Sequence, residues 1–294
     1  MSVTSHDPKN VDATTGTATT GHEWDGIREL NTPLPKWWLY IFYATIVWAL
    51  GYWVVYPAIP LASSFTKGMI NYSSRGEATA DVEQLKLARA PMVNALAKAS
   101  FEDIQKDPKL LTFARAQGKA AFGDNCAPCH GAGGGGSKAF PNLVDDDWLW
   151  GNGSLADIQA TITHGIRSSD PDTRQGNMPA FGDGVLKPTE ISAVADYVRS
   201  LSSLPVEQGA DLNAGQKVFA DNCVACHGEN AKGNPELGAP NLTDQIWLYA
   251  SDKATIVEGI TKGRGGMMPN WGSRLDAGTI KALAVYVRTL GGGR

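Results

Sequence analysis

The strings CAPCH at residues 126–130 and CVACH at residues 223–227 contain all four cysteines of this 294-residue chain. A C-x-x-C-H string is the attachment signature of c-type haem: the two thiols bond to the porphyrin and the histidine binds the iron. A C-x-x-C pair can also be a redox dithiol, and two such pairs can make a four-cysteine zinc site. Neither alternative explains why a histidine follows both pairs. The strings predict two covalently bound haem c groups, attached through Cys126, Cys129, Cys223 and Cys226, with His130 and His227 as iron ligands.

Both strings belong to a longer internal repeat. The matching segments keep their order in the two copies: GKAAF 118–122 with GQKVF 215–219, PNL 141–143 with 240–242, MPAFG 178–182 with MPNWG 268–272, and ADYVRSL 195–201 with AVYVRTL 284–290. Because the order is the same, a coincidence of short motifs is excluded. The repeat predicts two similar domains, residues 116–204 and 205–294.

Each copy shows a helical pattern, with a first helix before the cysteines, a middle helix and a closing helix. This layout resembles class I cytochrome c. Glycine at 118 and 215 is expected to let the first and last helices of one domain approach closely. We therefore expect Phe122 to lie beside Tyr197, and Phe219 beside Tyr286.

A sixth ligand on each iron separates an electron carrier from an enzyme with an open iron position. Met178 and Met268 are the candidates, since each precedes a proline at matching positions of the repeat. A methionine can also be a gap-filling core residue, and Met267 competes with Met268 for the second position. Each methionine can serve the haem of its own repeat, or the two can be exchanged. Both assignments stay open at this point.

Resemblance to cytochrome c also implies roles around the iron ligands. The carbonyls of Pro141 and Pro240 are expected to accept the histidine N–H, a bond that orients the ring. The aromatic and basic residues Trp148, Trp247 and Arg264 are candidates to contact haem propionates, and packing is an equal alternative for the tryptophans. His164 is interpreted as a surface residue, and His6 and His22 as parts of a tail without a role.

Residues 37–56, WWLYIFYATIVWALGYWVVY, contain no charged residue and nine aromatic ones. Twenty such residues in a helix span the hydrocarbon layer, and aromatic residues at both ends are typical of membrane interfaces. A cleavable signal is shorter and follows a basic stretch, whereas 36 mildly acidic residues precede this segment. We expect a transmembrane helix over residues 34–57. The expected fold is mostly α, with this helix followed by two tandem class I cytochrome c domains.

The remaining segments complete the domain plan. Residues 1–33 are expected to be an N-terminal tail, irregular through residue 22, and residues 58–115 a connector with a helix that Pro91 interrupts. Basic residues are balanced across the span and do not set its orientation. Haem c is attached on the outer side of the bacterial inner membrane. This predicts a single-pass inner-membrane protein with a cytoplasmic N-terminus and periplasmic haem domains.

The charge distribution excludes one class of partner and suggests another. A net charge of −4 leaves no basic surface for phosphate, so the chain is not a nucleic-acid binder. Asp145, Asp146 and Asp147 form an acidic run beside Trp148. Such a run is either a solvated turn or a patch that attracts a basic donor cytochrome.

The segments WDGIREL at 24–30 and TPLPKWW at 32–38, with the aromatic span ending at Tyr56-Pro57, resemble the CcoP/FixP family of cbb3-type cytochrome c oxidase. The resemblance runs from about residue 23 to 290. It implies a dihaem subunit of a proton-pumping terminal oxidase in the bacterial inner membrane. Its implied partners are a donor cytochrome c, the monohaem subunit CcoO, the oxygen-reducing subunit CcoN and the small subunit CcoQ.

Two other classes share the haem features. A free-standing, membrane-anchored dihaem electron carrier differs only in the span and the motif before it. A dihaem peroxidase needs one five-coordinate iron, which the paired Met-Pro segments disfavour. The chain itself contains no candidate catalytic residue.

Overall fold

Helices dominate residues 10–292, the part of the chain that the computed structural model describes. A hairpin precedes them, and the chain divides into two compact units, one ending at Leu85 and one beginning at Lys86. The elements are β1 Thr19–Trp24, β2 Ile27–Leu30, α1 Lys36–Val55, α2 Ser74–Lys98, α3 Phe101–Lys106, α4 Pro108–Asn125, α5 Ala127–His130, α6 Leu155–His164, α7 Pro188–Leu201, α8 Leu212–Asn222, α9 Val224–His227, α10 Lys253–Lys262 and α11 Ala277–Arg288.

The hairpin of β1 and β2 corrects the expected irregular tail, which is wrong for residues 19–22. Asp25 and Gly26 have φ of 50° and 83°, the left-handed backbone of a two-residue hairpin turn. His22, expected to lie in the tail, belongs to β1 and stacks on Trp24 at 5.7 Å between ring centroids. Residues 1–9, which include His6, lie outside the described residues.

Helix α1 agrees with the expected transmembrane helix. It is the one helix of residues 10–292 that is long and apolar enough to cross a bilayer, and it buries no side chain within the protein. Its aromatic residues stack along its own surface, Trp38 on Phe42 and Tyr52 on Tyr56. An apolar surface without a protein partner is the surface that a lipid bilayer or another membrane helix covers.

Helix α2 runs through Pro91, so the expected interruption of the connector helix is wrong. A proline inside a helix frees the carbonyl four residues earlier, here that of Leu87. Leu87 is 72% exposed, so this part of the helix lies at the protein surface. The end of α2 and the next two helices then form a small core through Leu96, Ile104 and Leu110.

The four long helices of the repeats pair across the repeat boundary. Helix α4 packs on α11, and α7 packs on α8. The middle helices follow the same rule, α6 on α11 and α10 on α7. We call the group α4, α5, α6 and α11 the first lobe, and the group α7, α8, α9 and α10 the second lobe. Each lobe therefore combines helices from both repeats, and the lobes do not coincide with residues 116–204 and 205–294.

The aromatic pairs expected within each repeat are wrong for the same reason. Phe122 lies beside Tyr286 at 5.4 Å, and Phe219 beside Tyr197 at 5.6 Å. Both closing helices carry the same Tyr-Val-Arg pattern, so either can pack on either first helix. The short link 202–211 favours contact between α7 and the helix that follows it, because consecutive elements usually pack together.

Glycine sets the closest approach in both lobes. A Cβ at Gly118 would lie 2.2 Å from the carbonyl oxygen of Ala282 in α11, and one at Gly215 would lie 2.3 Å from that of Ala193 in α7. These distances are far below normal contact. The helix crossings therefore require glycine at both positions.

Gly118→Ala is expected to destabilise the protein by about 2–3 kcal/mol, because the methyl group forces α4 and α11 apart. Gly123→Ala in the same helix is the matched control, since a Cβ there meets no atom within 4 Å. The control is expected to stabilise by about 0.5–1 kcal/mol, the usual gain from replacing a helical glycine. Denaturant unfolding of both variants measures the difference. Equal effects of the two substitutions contradict the observed pairing of α4 with α11.

Candidate functional site

Each cysteine string forms a helical turn directly after the first helix of its repeat. Cys126 caps α4 through its N–H to the carbonyl of Phe122, and Cys223 caps α8 in the same way. Burial, with a smaller contribution from the neighbouring cysteine, raises the pKa of Cys126 and Cys223 to about 11. Neither is therefore a thiolate at neutral pH, which disfavours the redox dithiol.

The zinc alternative is not supported by the geometry. A zinc site brings its ligand atoms within a few ångströms of one another. Among residues 10–292, one group of three metal-ligating side chains has its ligand atoms within 4.8 Å of one another, and it consists of His164, Asp170 and Asp172. It contains no cysteine, so the two strings do not converge on a shared metal site.

Both histidines of the strings are oriented by a proline carbonyl, as expected. The Nδ1–H of His130 donates to the carbonyl of Pro141 at 3.0 Å, and that of His227 to the carbonyl of Pro240 at 3.0 Å. Burial lowers the pKa of both histidines. Each ring is thus neutral with Nε2 free, the state in which imidazole binds iron.

The methionine segments are held by symmetric pairs of backbone hydrogen bonds. Met268 and Ile166 exchange two N–H···O bonds of 3.0 and 2.9 Å, and Met178 and Arg264 exchange two of 2.9 and 3.0 Å. Ile166 follows α6 of the first repeat, whereas Arg264 follows α10 of the second. Each methionine is therefore fixed against the middle helix of the other repeat.

Glycine again permits the approach of these segments. Gly165 ends α6 with φ of 72°, and a Cβ there would lie 2.5 Å from the carbonyl oxygen of Met268. Gly263 ends α10 with φ of 75°, and its Cβ would lie 2.4 Å from the carbonyl oxygen of Met178. The two close approaches have the same geometry. In both lobes, therefore, the methionine segment of one repeat pairs with the end of the middle helix of the other repeat.

Burial distinguishes the two adjacent methionines. Met268 packs on the first-lobe core of Phe122, Ile158 and Leu283, while Met267 is 69% exposed. Met178 packs on the second-lobe core with Val194 and its neighbours. Met268 thus lies in the lobe of His130, and Met178 in the lobe of His227.

One cavity of about 690 Å³ is lined by both strings and both methionines. Its walls are mostly apolar, with Val194, Phe219 and Ile260 among them. Trp247 lines this cavity and Trp148, at the matching repeat position, packs on the first-lobe core; the buried indole N–H of each has no hydrogen-bond acceptor in residues 10–292. A haem brings carboxylates that accept such bonds, so the residues present fit the group.

The other predicted contact residues have protein partners. Arg264 lines the cavity, lies 4.2 Å over the ring of Tyr249 and is 3.6 Å from Glu258. His164 pairs with Asp170 at 3.0 Å and does not line the cavity, in agreement with its interpretation as a surface residue.

Two residues of the cavity wall, Trp150 and Arg167, were missed by the sequence reasoning. Arg167 lies in the loop 166–177, which the much shorter segment 264–267 replaces in the second repeat. Comparison of the repeats therefore gives no counterpart for it. Its one sequence signal is a basic residue in a loop that precedes a candidate ligand.

The acidic run is partly buried. Burial raises the pKa of Asp147 to about 6, and the charges of Asp244 and Asp145 add to the effect. Burial also raises the pKa of Asp145. The two repeats thus place carboxylates of the first and second copies close together.

Asp147→Asn is expected to raise the melting temperature at pH 7.5 and to leave it nearly unchanged at pH 4. Because the pKa of Asp147 is higher in the folded protein than its ordinary 3.8, the folded state loses stability as pH rises through about 6. Asn cannot ionise, so the variant escapes this loss. Calorimetry at the two pH values measures the melting temperature of the variant and of the unaltered protein. Asp146→Asn, at the exposed neighbouring position, is the control. A gain of the same size at both pH values contradicts the prediction.

The paired strings, oriented histidines and partly buried methionines on a helical scaffold define a c-type cytochrome. Residues 113–198 and 210–287 match the family described as cytochrome c oxidase, cbb3-type, subunit III. Residues 16–63 match the N-terminal domain of cytochrome oxidase-cbb3, FixP. The chain therefore belongs to the FixP/CcoP family of cbb3-type cytochrome c oxidase subunits.

Full-length relatives support this membership. The chain is 63% identical to the cbb3-type cytochrome c oxidase subunit FixP of Bradyrhizobium sp. (strain ORS 278), over 98% of this chain and 99% of the relative. It is 60% identical to FixP of Azorhizobium caulinodans, over 99% of each chain. It is 54% identical to CcoP of Azospirillum brasilense, over 97% of this chain and 99% of the relative.

These comparisons confirm the expected function and fold in outline. The chain is an electron-transfer subunit of a cbb3-type oxidase, with haem c binding and membrane anchoring. Its assembly with other oxidase subunits follows from the same membership.

Proposed function

We propose that this subunit carries two covalently bound haem c groups, one in each lobe, and passes electrons from a donor cytochrome c towards CcoO and the oxygen-reducing subunit CcoN. A six-coordinate haem iron supplies reversible one-electron chemistry. The observation that carries the proposal is the single cavity lined by both cysteine strings, both histidines and both methionines.

The proposed ligand sets combine the two repeats. In the first lobe, Cys126 and Cys129 would attach the haem, and His130 and Met268 would bind its iron. In the second lobe, Cys223 and Cys226 would attach the haem, and His227 and Met178 would bind its iron. The support is the backbone pairing of each methionine with the middle helix of the other repeat.

The chain's own residues prepare the site for electron transfer. The carbonyls of Pro141 and Pro240 hold the histidine rings, so that the ligand atoms need little movement between oxidation states. Apolar walls exclude water and limit solvent reorganisation around the site. An iron bound by both a histidine and a methionine would have no position left for oxygen or peroxide, which disfavours the dihaem peroxidase.

The proposed topology has α1 across the inner membrane, the hairpin in the cytoplasm and the haem lobes in the periplasm. It is supported by haem c chemistry, which takes place on the outer side of that membrane, and by the single span in residues 10–292. The nine aromatic residues of this span are proposed to pack against membrane helices of CcoN, CcoO or CcoQ.

Purification of the intact complex in mild detergent tests the proposal. We expect this chain to co-purify with a monohaem subunit and an oxygen-reducing subunit, and a haemochrome assay of the isolated chain to give two haems that acid acetone does not extract. One haem per chain, or extractable haem, contradicts the covalent dihaem site. If the chain purifies without any other subunit, it is a free-standing carrier. If the reduced chain binds carbon monoxide, the result supports a peroxidase.

A further inference from the structure

Arg167 lies on the cavity wall where the loops before the two methionines meet. Its Nε donates to the carbonyl of Gly266 at 2.6 Å, and its Nη1 donates to the carbonyl of Gly176. Gly266 lies two residues before Met268, and Gly176 two residues before Met178. A single guanidinium is thus bonded to both methionine loops at equivalent positions.

This cation has no carboxylate partner among residues 10–292. The other arginine of the cavity wall, Arg264, lies 3.6 Å from Glu258 and has a protein counter-ion. Arg167 instead stacks over the buried ring of Trp150 at 5.9 Å, and burial lowers the pKa of its guanidinium. Arg167 is half-buried, and partial removal of a cation from water without a carboxylate partner carries a cost, so an unpaired arginine on a cavity wall indicates an anionic ligand.

The unused donors of Arg167 suit a carboxylate. A guanidinium has five N–H donors in a planar fork, and the two backbone bonds leave about three of them. This fork matches a carboxylate in bidentate fashion. The carboxylates that a haem brings into its cavity are the two propionates of the porphyrin.

We propose that Arg167 binds a haem propionate and, by neutralising it, raises the reduction potential of that haem. This inference rests on haem binding in the cavity described above. Reduction adds a negative charge at the iron, and an uncompensated propionate nearby opposes that charge. Arg167 removes this opposition while it holds both methionine loops in place.

The two haems thereby become inequivalent. The loop 166–177 that carries Arg167 has no counterpart of equal length in the second repeat. The pseudo-symmetric site therefore has this cation once. A difference in potential between two neighbouring haems gives electron transfer a preferred direction, which an exactly repeated pair lacks.

Arg167→Gln and Arg167→Lys test the proposal in the full chain, purified with its complex. We expect the glutamine variant to lower the equilibrium constant for reduction of one haem about tenfold, which is 59 mV for a one-electron couple. We expect the lysine variant to retain most of that potential, because it keeps the charge. Arg274→Gln is the matched control, since Arg274 stacks over Trp271 at 5.3 Å but is exposed and does not line the cavity.

Spectroelectrochemical titration measures both potentials, and the near-infrared methionine–iron band reports whether the loops are intact. Unchanged potentials in Arg167→Gln overturn the inference. Equal losses in the glutamine and lysine variants, with a weakened methionine band, also overturn it and leave Arg167 as a tie between loops. A haemochrome assay of each variant separates these results from failure of haem binding itself.

Redox-difference infrared spectra supply a second readout for the case in which Arg167→Gln does not fold. Lysine keeps the charge but cannot reproduce the planar fork. We therefore expect the propionate carboxylate bands to shift in Arg167→Lys when the haem carries isotope-labelled propionates. Bands identical to those of the unaltered protein contradict propionate binding by Arg167.

Discussion

Met268→Leu is expected to abolish methionine ligation at the haem attached to Cys126 and Cys129, and Met178→Leu at the haem attached to Cys223 and Cys226. The reason is the backbone pairing of Met268 with Ile166 and of Met178 with Arg264, which places Met268 in the lobe of His130 and Met178 in the lobe of His227. A methionine thioether raises the potential of its iron. Each substitution should therefore remove about half of the near-infrared methionine–iron band and lower one potential strongly.

The assignment is tested in a variant that retains a single haem. Cys126→Ala with Cys129→Ala leaves only the attachment through Cys223 and Cys226. In this background, Met178→Leu should abolish the remaining band and Met268→Leu should leave it. The opposite result shows that each methionine serves its own repeat.

Met267→Leu is the matched control for Met268→Leu, because the two residues are adjacent and Met267 is 69% exposed. We expect it to leave both bands unchanged in the protein with two haems. Loss of a band in Met267→Leu, with none in Met268→Leu, contradicts the choice between the two.

Lys253→Met is expected to destabilise the second lobe by about 3–5 kcal/mol, the usual cost of removing one partner of a buried ion pair. Lys253 at the start of α10 contacts Asp196 of α7 at 2.7 Å, and the Asp196 side chain is 4% exposed. The second carboxylate oxygen of Asp196 is buried without a partner in residues 10–292. Without Lys253, the charge of Asp196 has no compensation.

The first lobe indicates how the loss can be reversed. The position of α11 that matches Asp196 is Val285, which is 3% exposed, so an apolar side chain fits this helix crossing. We expect Asp196→Val with Lys253→Met to recover most of the stability. Lys262→Met is the control, because its pair with Glu258 is exposed and contributes less than about 1 kcal/mol. Denaturant unfolding measures all three, and equal effects of Lys253→Met and Lys262→Met contradict the prediction.

The pH dependence of this pair has a defined sign. Burial by itself lowers the pKa of Lys253, but the hydrogen bonds to Asp196 and Glu207 outweigh burial and raise it above 10.5. A cation whose pKa is raised by folding stabilises the protein below its ordinary pKa and loses this effect as pH rises through the raised value. The difference between Lys253→Met and the unaltered protein should therefore persist at pH 7 and shrink only above about pH 10.5.

Local patterns in the sequence predict the haem strings, the span and the helices, because each depends on neighbouring residues. The proline carbonyls that orient His130 and His227 follow from the same resemblance and lie where expected. The hairpin was missed although Asp25-Gly26 is a strong turn signal, since a Thr-rich composition was given more weight. Local pattern was not sufficient at Pro91, where α2 continues through the proline.

The exchange between repeats could not be predicted from the sequence. Phe122 meets an identical tyrosine in either closing helix, so no residue type distinguishes Tyr197 from Tyr286. The choice depends on the length of the link between α7 and α8 and on the path of the chain in space. Arg167 was missed for a related reason, since its partners Gly176 and Gly266 are backbone carbonyls in two distant loops.

The pairing of α4 with α11 has a consequence for the order in which the protein matures. The second lobe lies entirely between α6 and α11 along the chain, so it is complete before the ribosome has finished the first. The string that contains Cys126 is synthesised before Met268 and α11, which complete its lobe. The first lobe therefore stays incomplete until α11 has been synthesised. A chain cut by a protease between α10 and α11 would keep the haem site of the second lobe and lose that of the first lobe.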